Sequence, residues 1–91
     1  MDKLRILTEV LDSSAYQTLS RNARYVYIGA LACADDQGLA DLRPEIRRLK
    51  LKYRISEPED ELFGKITEEL SKNELITAPD EGIRNPVRLK Y

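Results

Sequence analysis

One segment that is apolar on nearly every side, Leu19–Leu39, restricts the possible folds of this chain more than any other feature. It reads LSRNARYVYIGALACADDQGL, and beyond Arg24 it has almost no polar face. A helix that is apolar nearly all round belongs inside a domain, where neighbours cover several of its sides. Ser20 is a favoured N-cap residue and Gly38 is a natural stop. The segment therefore predicts a central helix over residues 20–37 of a small, mostly helical domain.

The length and composition allow one modest hydrophobic core. The chain has 91 residues, of which 42% are hydrophobic and 34% are charged, as in ordinary globular proteins. No apolar run approaches the roughly 20 residues that span a bilayer, and residues 1–11 carry charges throughout, unlike a signal peptide. We therefore expect a cytoplasmic protein with a single domain over residues 1–91 and no membrane partner.

The side chains offer little for catalysis or metal binding. The sequence has no histidine and only one cysteine, Cys33, which excludes an intramolecular disulfide and argues against a zinc site. It contains neither a phosphate-binding loop nor a dinucleotide-binding glycine motif. Asp35 and Asp36 have no third ligand at a suitable spacing, so a solvated turn is the better interpretation. We expect no enzyme activity, no metal, no cofactor and no small-molecule substrate, with Cys33 as a buried, inert thiol.

The N-terminal segment predicts a helical extension over residues 1–19. Leu4, Leu7 and Leu11 recur there at helical spacing, although a strand through residues 5–10 stays open as an alternative. After the central helix, Leu39-Ala40 is a candidate for a very short strand.

Two further helices and a hairpin are predicted in the remainder. The second helix, over residues 41–54, is capped by Asp41, and its buried stripe consists of Leu42, Ile46, Leu49 and Tyr53. The third helix, over residues 57–73, begins at a capping box in Ser56–Glu59. Pro79–Gly82 has the composition of a turn, so residues 75–91 are expected to form a β-hairpin. This α+β order, mostly α with a small hairpin, is that of a winged helix-turn-helix whose hairpin is the wing.

Charge is distributed unevenly along the chain, although the net charge is only −1. Residues 43–55 carry six positive charges and one negative charge, whereas residues 56–82 carry two positive and nine negative charges. On the second helix, Arg43, Arg47, Lys50 and Arg54 repeat the spacing of the buried stripe one residue along, about 100° round the helix. A solvated face and a phosphate-binding face are both consistent with this pattern.

Two stretches resemble the N-terminal winged-helix domain of phage and prophage replication initiators, also called replisome organisers. In Leu19–Gly38, the segments LS, AR, YVYIG and ADDQG are similar to that family's pattern LS..AR..YIGL followed by ADD.G. Glu69-Leu70 and Glu74-Leu75-Ile76 are similar to the family's EL and GLI before the wing, and Ile83-Arg84-Asn85 follows loosely. The resemblance implies a winged-helix fold and binding to origin or duplex DNA during DNA replication.

The third helix is a poor surface for DNA, because its five carboxylates within Pro58–Asn73 outnumber its two lysines and would repel phosphates. The second helix and the wing are therefore expected to hold duplex DNA, mainly through phosphate contacts. On the third helix, Lys65, Thr67 and Ser71 are the few candidates for base contact. The predicted DNA-binding residues are Arg43, Arg47, Arg48, Lys50, Arg54, Lys65, Arg84, Arg88 and Lys90.

A protein-interaction module is the alternative. Winged helices also serve as docking or dimerisation domains, and the separated basic and acidic segments are able to pair between two copies of the chain or with a charged partner. Such a small phage-type regulator would have no intrinsic DNA binding. Replication proteins and a second copy of the chain are thus the candidate protein partners.

Overall fold

The computed structural model describes residues 2–77 and 86–90, and most of these residues are helical. The described residues form five helices and one two-stranded antiparallel sheet, so the predicted class, mostly α with a small β element, is confirmed. In chain order the elements are α1 (Lys3–Leu11), α2 (Ser14–Gln17), α3 (Arg21–Cys33), β1 (Leu39–Ala40), α4 (Arg43–Tyr53), α5 (Glu59–Lys72) and β2 (Val87–Arg88).

Helix α3 lies at the centre of the fold and packs against α1, α4, α5 and β1. The Ser20 side chain caps its start, because the Ser20 hydroxyl accepts a hydrogen bond from the N–H of Ala23 at 3.2 Å. Small and large apolar residues alternate on its buried surface, so neighbouring helices approach closely and still fill the core. Its buried residues are Ala23, Val26, Tyr27, Ala30 and Leu31.

Helix α3 ends at Cys33, four residues before the predicted end. The carboxylate of Asp35 accepts hydrogen bonds from the N–H groups of Gln37 at 2.8 Å and Leu39 at 3.0 Å, which favours a turn over another helical turn. These hydrogen bonds, that from Leu39 above all, hold the pKa of Asp35 below its usual value. Cys33 is exposed. The predicted burial of this thiol is therefore wrong, because Cys33 lies in the last turn of α3.

Helix α1 forms where helical spacing was noted in the N-terminal segment, so the alternative of a strand through residues 5–10 is wrong. Ile6 and Val10 are buried, one helical turn apart, whereas Leu4 is 75% exposed and Leu11 is 40% exposed. The face of α1 that packs against α3 is thus the one with Ile6 and Val10. The Asp2 side chain caps this helix by accepting a hydrogen bond from the N–H of Arg5 at 3.1 Å.

Helices α4 and α5 both begin two residues later than predicted. In α4 the N-cap position is Leu42 rather than Asp41, and the Asp41 carboxylate accepts a hydrogen bond from the N–H of Arg43 at 3.0 Å. The buried stripe of α4 is present, since Leu42, Ile46 and Leu49 are fully buried.

The predicted capping box before α5 does not form. Pro58 is the N-cap residue of α5 and no side chain caps this end, which places Glu59 at the first helical position instead of the third. The Glu59 carboxylate contacts arginines of α4 instead, as described below. Glu59, the first residue of α5, thus forms ion pairs with α4 instead of capping α5.

Helix α4 is followed by a residue in the left-handed conformation, its C-cap residue Arg54. Arg54 has a φ of 52°, and the N–H of Ile55 donates to the carbonyl of Lys50 at 3.0 Å, as in common helix C-caps where glycine is preferred. A second non-glycine residue, Glu74, has a φ of 61° shortly after α5.

The sheet joins residues that are far apart in sequence. Leu39 lies opposite Arg88 and Ala40 opposite Val87 in an antiparallel pair, and Ile76 forms a bridge to Leu89. The segment 87–89 therefore lies between β1 and Ile76. The predicted turn at Pro79–Gly82 lies outside the described residues, so only the two sides of the predicted hairpin are described.

Candidate nucleic-acid interface

The first two cations of the predicted basic stripe are paired with the start of α5. Arg47 Nε lies 2.6 Å from Glu59 Oε1, and Arg43 Nη1 lies 3.2 Å from Glu59 Oε2. Arg43 also contacts Asp60, and its guanidinium lies 4.2 Å from the ring centroid of Phe63. The hydrogen bond from Arg47, followed by the contact with Arg43, lowers the pKa of Glu59. Arg43 and Arg47 thus connect α4 to α5, and their charge is largely balanced within the chain.

Arg48 is paired with a carboxylate inside the protein. Glu45 is buried, and its Oε1 accepts hydrogen bonds from Arg48 Nη1 and, at 3.5 Å, from Cys33 Sγ. Helix α3 makes room for this carboxylate at Gly29, where an added Cβ would lie 2.0 Å from Glu45 Oε2. The burial of Glu45 was not predicted from the sequence. A glycine inside an apolar helix is a signal of close approach that was available.

The remaining predicted residues on α5 and β2 also have partners. Lys65 Nζ lies 2.6 Å from Glu57 Oε2, which raises the pKa of Lys65. Lys90 Nζ lies 3.4 Å from a carboxylate oxygen of Glu74. Arg88 Nη1 donates to the carbonyl of Gln37 at 2.8 Å. Arg84 lies outside the described residues.

Lys50 and Arg54 differ from the other predicted cations. Neither side chain forms an ion pair or a hydrogen bond with any residue in the ranges 2–77 and 86–90. Lys50 is partly exposed and Arg54 is exposed, one helical turn apart at the C-terminal end of α4. Within the predicted basic stripe, Lys50 and Arg54 are thus the two cations that form no ion pair with a carboxylate of the described residues.

Three further cations, which are not among the predicted DNA-binding residues, lie at this end of α4 or next to it. Arg21 is stacked on Tyr53, with its guanidinium carbon 3.8 Å from the ring centroid. Lys52 Nζ lies 5.8 Å from the centroid of the same ring. Arg24 lines one groove together with Arg21 and Tyr53, and donates only to the carbonyl of Gln17, at 2.6 Å. These contacts are cation–π and neutral hydrogen-bonding interactions, which leave the positive charge unbalanced.

We refer to Lys50 and Arg54, together with Arg21, Arg24 and Lys52, as the α3–α4 cation cluster. None of them pairs with a carboxylate in the part of the chain that the structure describes. The sequence signal was the mixing of cations with aromatic residues, in Arg21, Arg24 and Tyr25 and again in Lys52, Tyr53 and Arg54. The cluster consists of Arg21, Arg24, Lys50, Lys52 and Arg54.

The outer face of α5 has few groups that suit DNA. Thr67 is buried, and its hydroxyl donates to the carbonyl of Phe63 at 2.6 Å, so the expectation that Thr67 contacts bases is wrong. Ser71 is partly buried. The residues with exposed charged groups on this helix are Asp60, Glu61, Lys65, Glu68 and Lys72.

No known protein family, curated protein or solved structure matches the chain. In the described ranges, no three or more metal-binding side chains come together in a way that would hold a metal ion. None of the helices described is both long and apolar enough to cross a membrane. The α3–α4 cation cluster is the candidate surface, because its five cations have no carboxylate partners among the described residues.

Proposed function

We propose that the chain is a DNA-binding winged-helix module that acts in the cytoplasm in replication initiation, as in the phage and prophage initiators whose sequence pattern it resembles. The pairing order of the sheet supports this proposal. A winged helix has a short strand before its second helix and two wing strands after its third. Here the segment 87–89 lies between β1 and Ile76, and α3, α4 and α5 pack against one another. Residues 76 and 87–89 then belong to the two sides of the wing.

A fold alone does not determine a function, and the proposal depends above all on the α3–α4 cation cluster. Five cations without carboxylate partners among the described residues lie at the start of α3 and the end of α4 in a protein of net charge −1. Phosphate groups are their natural partners, because Arg and Lys release condensed counterions when they bind DNA. In our proposal this cluster makes the main phosphate contacts, together with the wing residues Arg84, Arg88 and Lys90.

The arginines paired with Glu59 have a secondary part in this proposal. Exposed ion pairs contribute only about 0 to 1 kcal/mol, so the exposed Arg47 is able to exchange Glu59 for a phosphate at little cost. Arg43 is more restricted, because two carboxylates and the ring of Phe63 hold it. The proposed interface therefore extends from the cluster to Arg47, but it leaves Arg43 and Arg48 in structural roles, since Arg48 pairs with the buried carboxylate of Glu45.

The alternative, a protein-interaction module, depended on a free acidic third helix. Several of those carboxylates have partners within the chain. Glu59 and Asp60 contact arginines of α4, Glu57 contacts Lys65, and Glu69 accepts hydrogen bonds from Ser20 at 2.6 and 2.8 Å. These contacts weaken the electrostatic case for head-to-tail pairing of two copies. Helicase-type or other replication proteins remain partners to be tested after DNA.

Fluorescence anisotropy of a labelled blunt duplex tests the proposal. Eight phosphate contacts, five from the cluster and three from the wing, predict that log Kobs falls with log salt with a slope of about −7. Replacing Lys50 and Arg54 together by glutamine should weaken binding at low salt and reduce that slope by about 2. Arg43→Gln is the control, since it removes one positive charge at the other end of α4, where Glu59 and Asp60 already pair with Arg43, and should leave the slope nearly unchanged. Absence of binding at low salt would refute DNA binding and favour the protein-interaction module.

A further inference from the structure

An open groove of about 660 Å³ lies beside the cation cluster, between the end of α2, the first half of α3 and α4. Its lining combines tyrosine rings, guanidinium groups and the carboxylate of the buried residue Glu45. The lining residues are Tyr16, Leu19, Arg21, Arg24, Tyr25, Ile28, Gly29, Glu45 and Tyr53. Ligand sites have this form, with an apolar cavity and a few polar groups that fix orientation.

The carboxylate of Glu45 has an unused acceptor within this lining. Its side chain is only 4% exposed, and Oε1 takes both hydrogen bonds that Glu45 accepts, from Arg48 and Cys33. Oε2 lies toward Gly29 and accepts none from the described residues. Oε2 is not among the fully buried polar atoms that lack a partner in the described residues, so it keeps some exposure toward the groove, where an N–H group of a ligand is able to donate to it. The missing side chain at Gly29 leaves Oε2 next to the groove.

The aromatic walls provide flat apolar surfaces next to positive charge. The rings of Tyr25 and Tyr53 meet edge to face, with centroids 6.0 Å apart and planes at 81°. Lys52 Nζ lies 5.7 Å from the Tyr25 centroid, and Arg24 lies 5.6 Å from that of Tyr16. The Nε of Arg24 is buried and has no hydrogen-bond partner among the described residues. The groove thus has a donor and several cations beside rings that are able to stack on a flat ligand.

We propose that this groove binds one unpaired nucleotide of a single-stranded DNA segment that adjoins the duplex. The base stacks on the tyrosine rings and its amino group donates to Glu45 Oε2, while the phosphates contact Arg21, Arg24 and Lys52. A carboxylate accepts the N4 amino group of cytosine, whereas thymine has no exocyclic amino group to offer. This inference rests on the proposed function and deepens it, since it assigns the groove to unpaired bases at a duplex end or opened site.

The experiment compares three labelled DNAs at one salt concentration by fluorescence anisotropy: a blunt duplex, the same duplex with a tail of four cytidines, and the same with a tail of four thymidines. We expect the cytidine tail to increase affinity about tenfold over the blunt duplex, in keeping with one stacked base. The thymidine tail should give a smaller increase. Equal affinities for the three DNAs would overturn the inference and leave the proposed function standing.

Tyr53→Leu is the protein variant for this test and Phe63→Leu is its matched control. Both rings lie against an arginine, but Phe63 is outside the groove. Tyr53→Leu should lose the gain from the cytidine tail, measured relative to the affinity of the same variant for the blunt duplex, whereas Phe63→Leu should keep that gain. If Tyr53→Leu does not fold by circular dichroism, NMR of the unmodified protein decides: the ring protons of Tyr25 and Tyr53 should shift more with tailed than with blunt DNA.

Two further outcomes separate this inference from the proposed function. If the blunt duplex does not bind but a single-stranded tetracytidine does, the proposed duplex binding is wrong and the nucleotide groove is supported. If neither DNA binds at low salt, both proposals are wrong. Loss of the tail effect in both Tyr53→Leu and Phe63→Leu would also count against the groove, because it would indicate a general effect on stability.

Discussion

The carboxylate of Glu45 occupies the space that a side chain on Gly29 would fill, since an added Cβ would lie 2.0 Å from Glu45 Oε2 and 2.6 Å from Cδ. Gly29→Ala therefore forces the buried carboxylate away from its contacts with Arg48 and Cys33. We expect this variant to lose about 1 to 3 kcal/mol of unfolding free energy, as in other overpacked interiors. Urea denaturation followed by circular dichroism measures it.

Gly64→Ala is the matched control for Gly29→Ala. Gly64 also lies inside a helix, but it is exposed, and a Cβ there would have no atom within 4 Å. It should stabilise the protein by about 0.5 to 1 kcal/mol, because alanine restricts the unfolded chain and favours the helix. In a Glu45→Ala background, Gly29→Ala should also become neutral or stabilising. A loss of the same size with and without Glu45 would contradict the proposed contact.

Arg54 has a left-handed backbone conformation that costs a non-glycine residue roughly 1 kcal/mol. We therefore expect Arg54→Gly to stabilise the fold by about that amount and at the same time to weaken duplex binding, reducing the salt slope by about 1. Denaturation and anisotropy on the same preparation measure the two effects. Glu74→Gly is the matched control, because Glu74 has a φ of 61° and, among residues 2–77 and 86–90, its side chain pairs only with Lys90. It should stabilise the fold without weakening DNA binding.

Glu59 makes stability depend on pH at the junction of α4 and α5. Contact with Arg47 and then Arg43 lowers its pKa in the folded protein, so its contribution is complete above the unfolded value, about 4.3. This contribution is lost as pH falls through the lower folded value. The stability advantage of the unmodified protein over Arg47→Gln should therefore shrink between pH 7 and pH 3. NMR titration of Glu59 and urea denaturation at both pH values measure it.

Arg54→Gln is the control for this pH dependence, since Arg54 has no carboxylate partner among the described residues. Its effect on unfolding free energy should be the same at pH 7 and pH 3. A difference of equal size for Arg47→Gln and Arg54→Gln would indicate a general charge effect instead of the contact with Glu59.

Helix identity was predictable from sequence where an apolar stripe was long and regular. In α4 the spacing of the stripe alone indicates which side is buried, and in α3 the lack of a polar face indicates a central position in the fold. Helix ends were less predictable. The chain turns at Asp35, before Gly38, because local side-chain hydrogen bonds compete with helical ones. Helix α5 has Pro58 at its N-cap position instead of the expected capping box. In α1 two neighbouring stripes were equally apolar, and only packing against α3 selected Ile6 and Val10.

The candidate site was predictable only in part, because charge balance depends on contacts between distant residues. The count of cations on α4 was correct, but sequence spacing did not reveal that Glu59 reaches back to Arg43 and Arg47. Nor did it reveal that Arg21 stacks on Tyr53, 32 positions later in the chain. Contacts between elements of this kind follow from the relative position of helices, which a single sequence does not determine.

The pairing of β1 with β2 has a consequence for the order in which this protein assembles during synthesis. Residues 39–40 meet their hydrogen-bonding partners only after residues 87–88 have left the ribosome, whereas α3, α4 and α5 are able to pack together earlier. Contacts between residues that are distant in sequence form late and slow folding. The helices therefore form before the sheet. The edge of β1 stays open to other strands until residues 87–88 have left the ribosome.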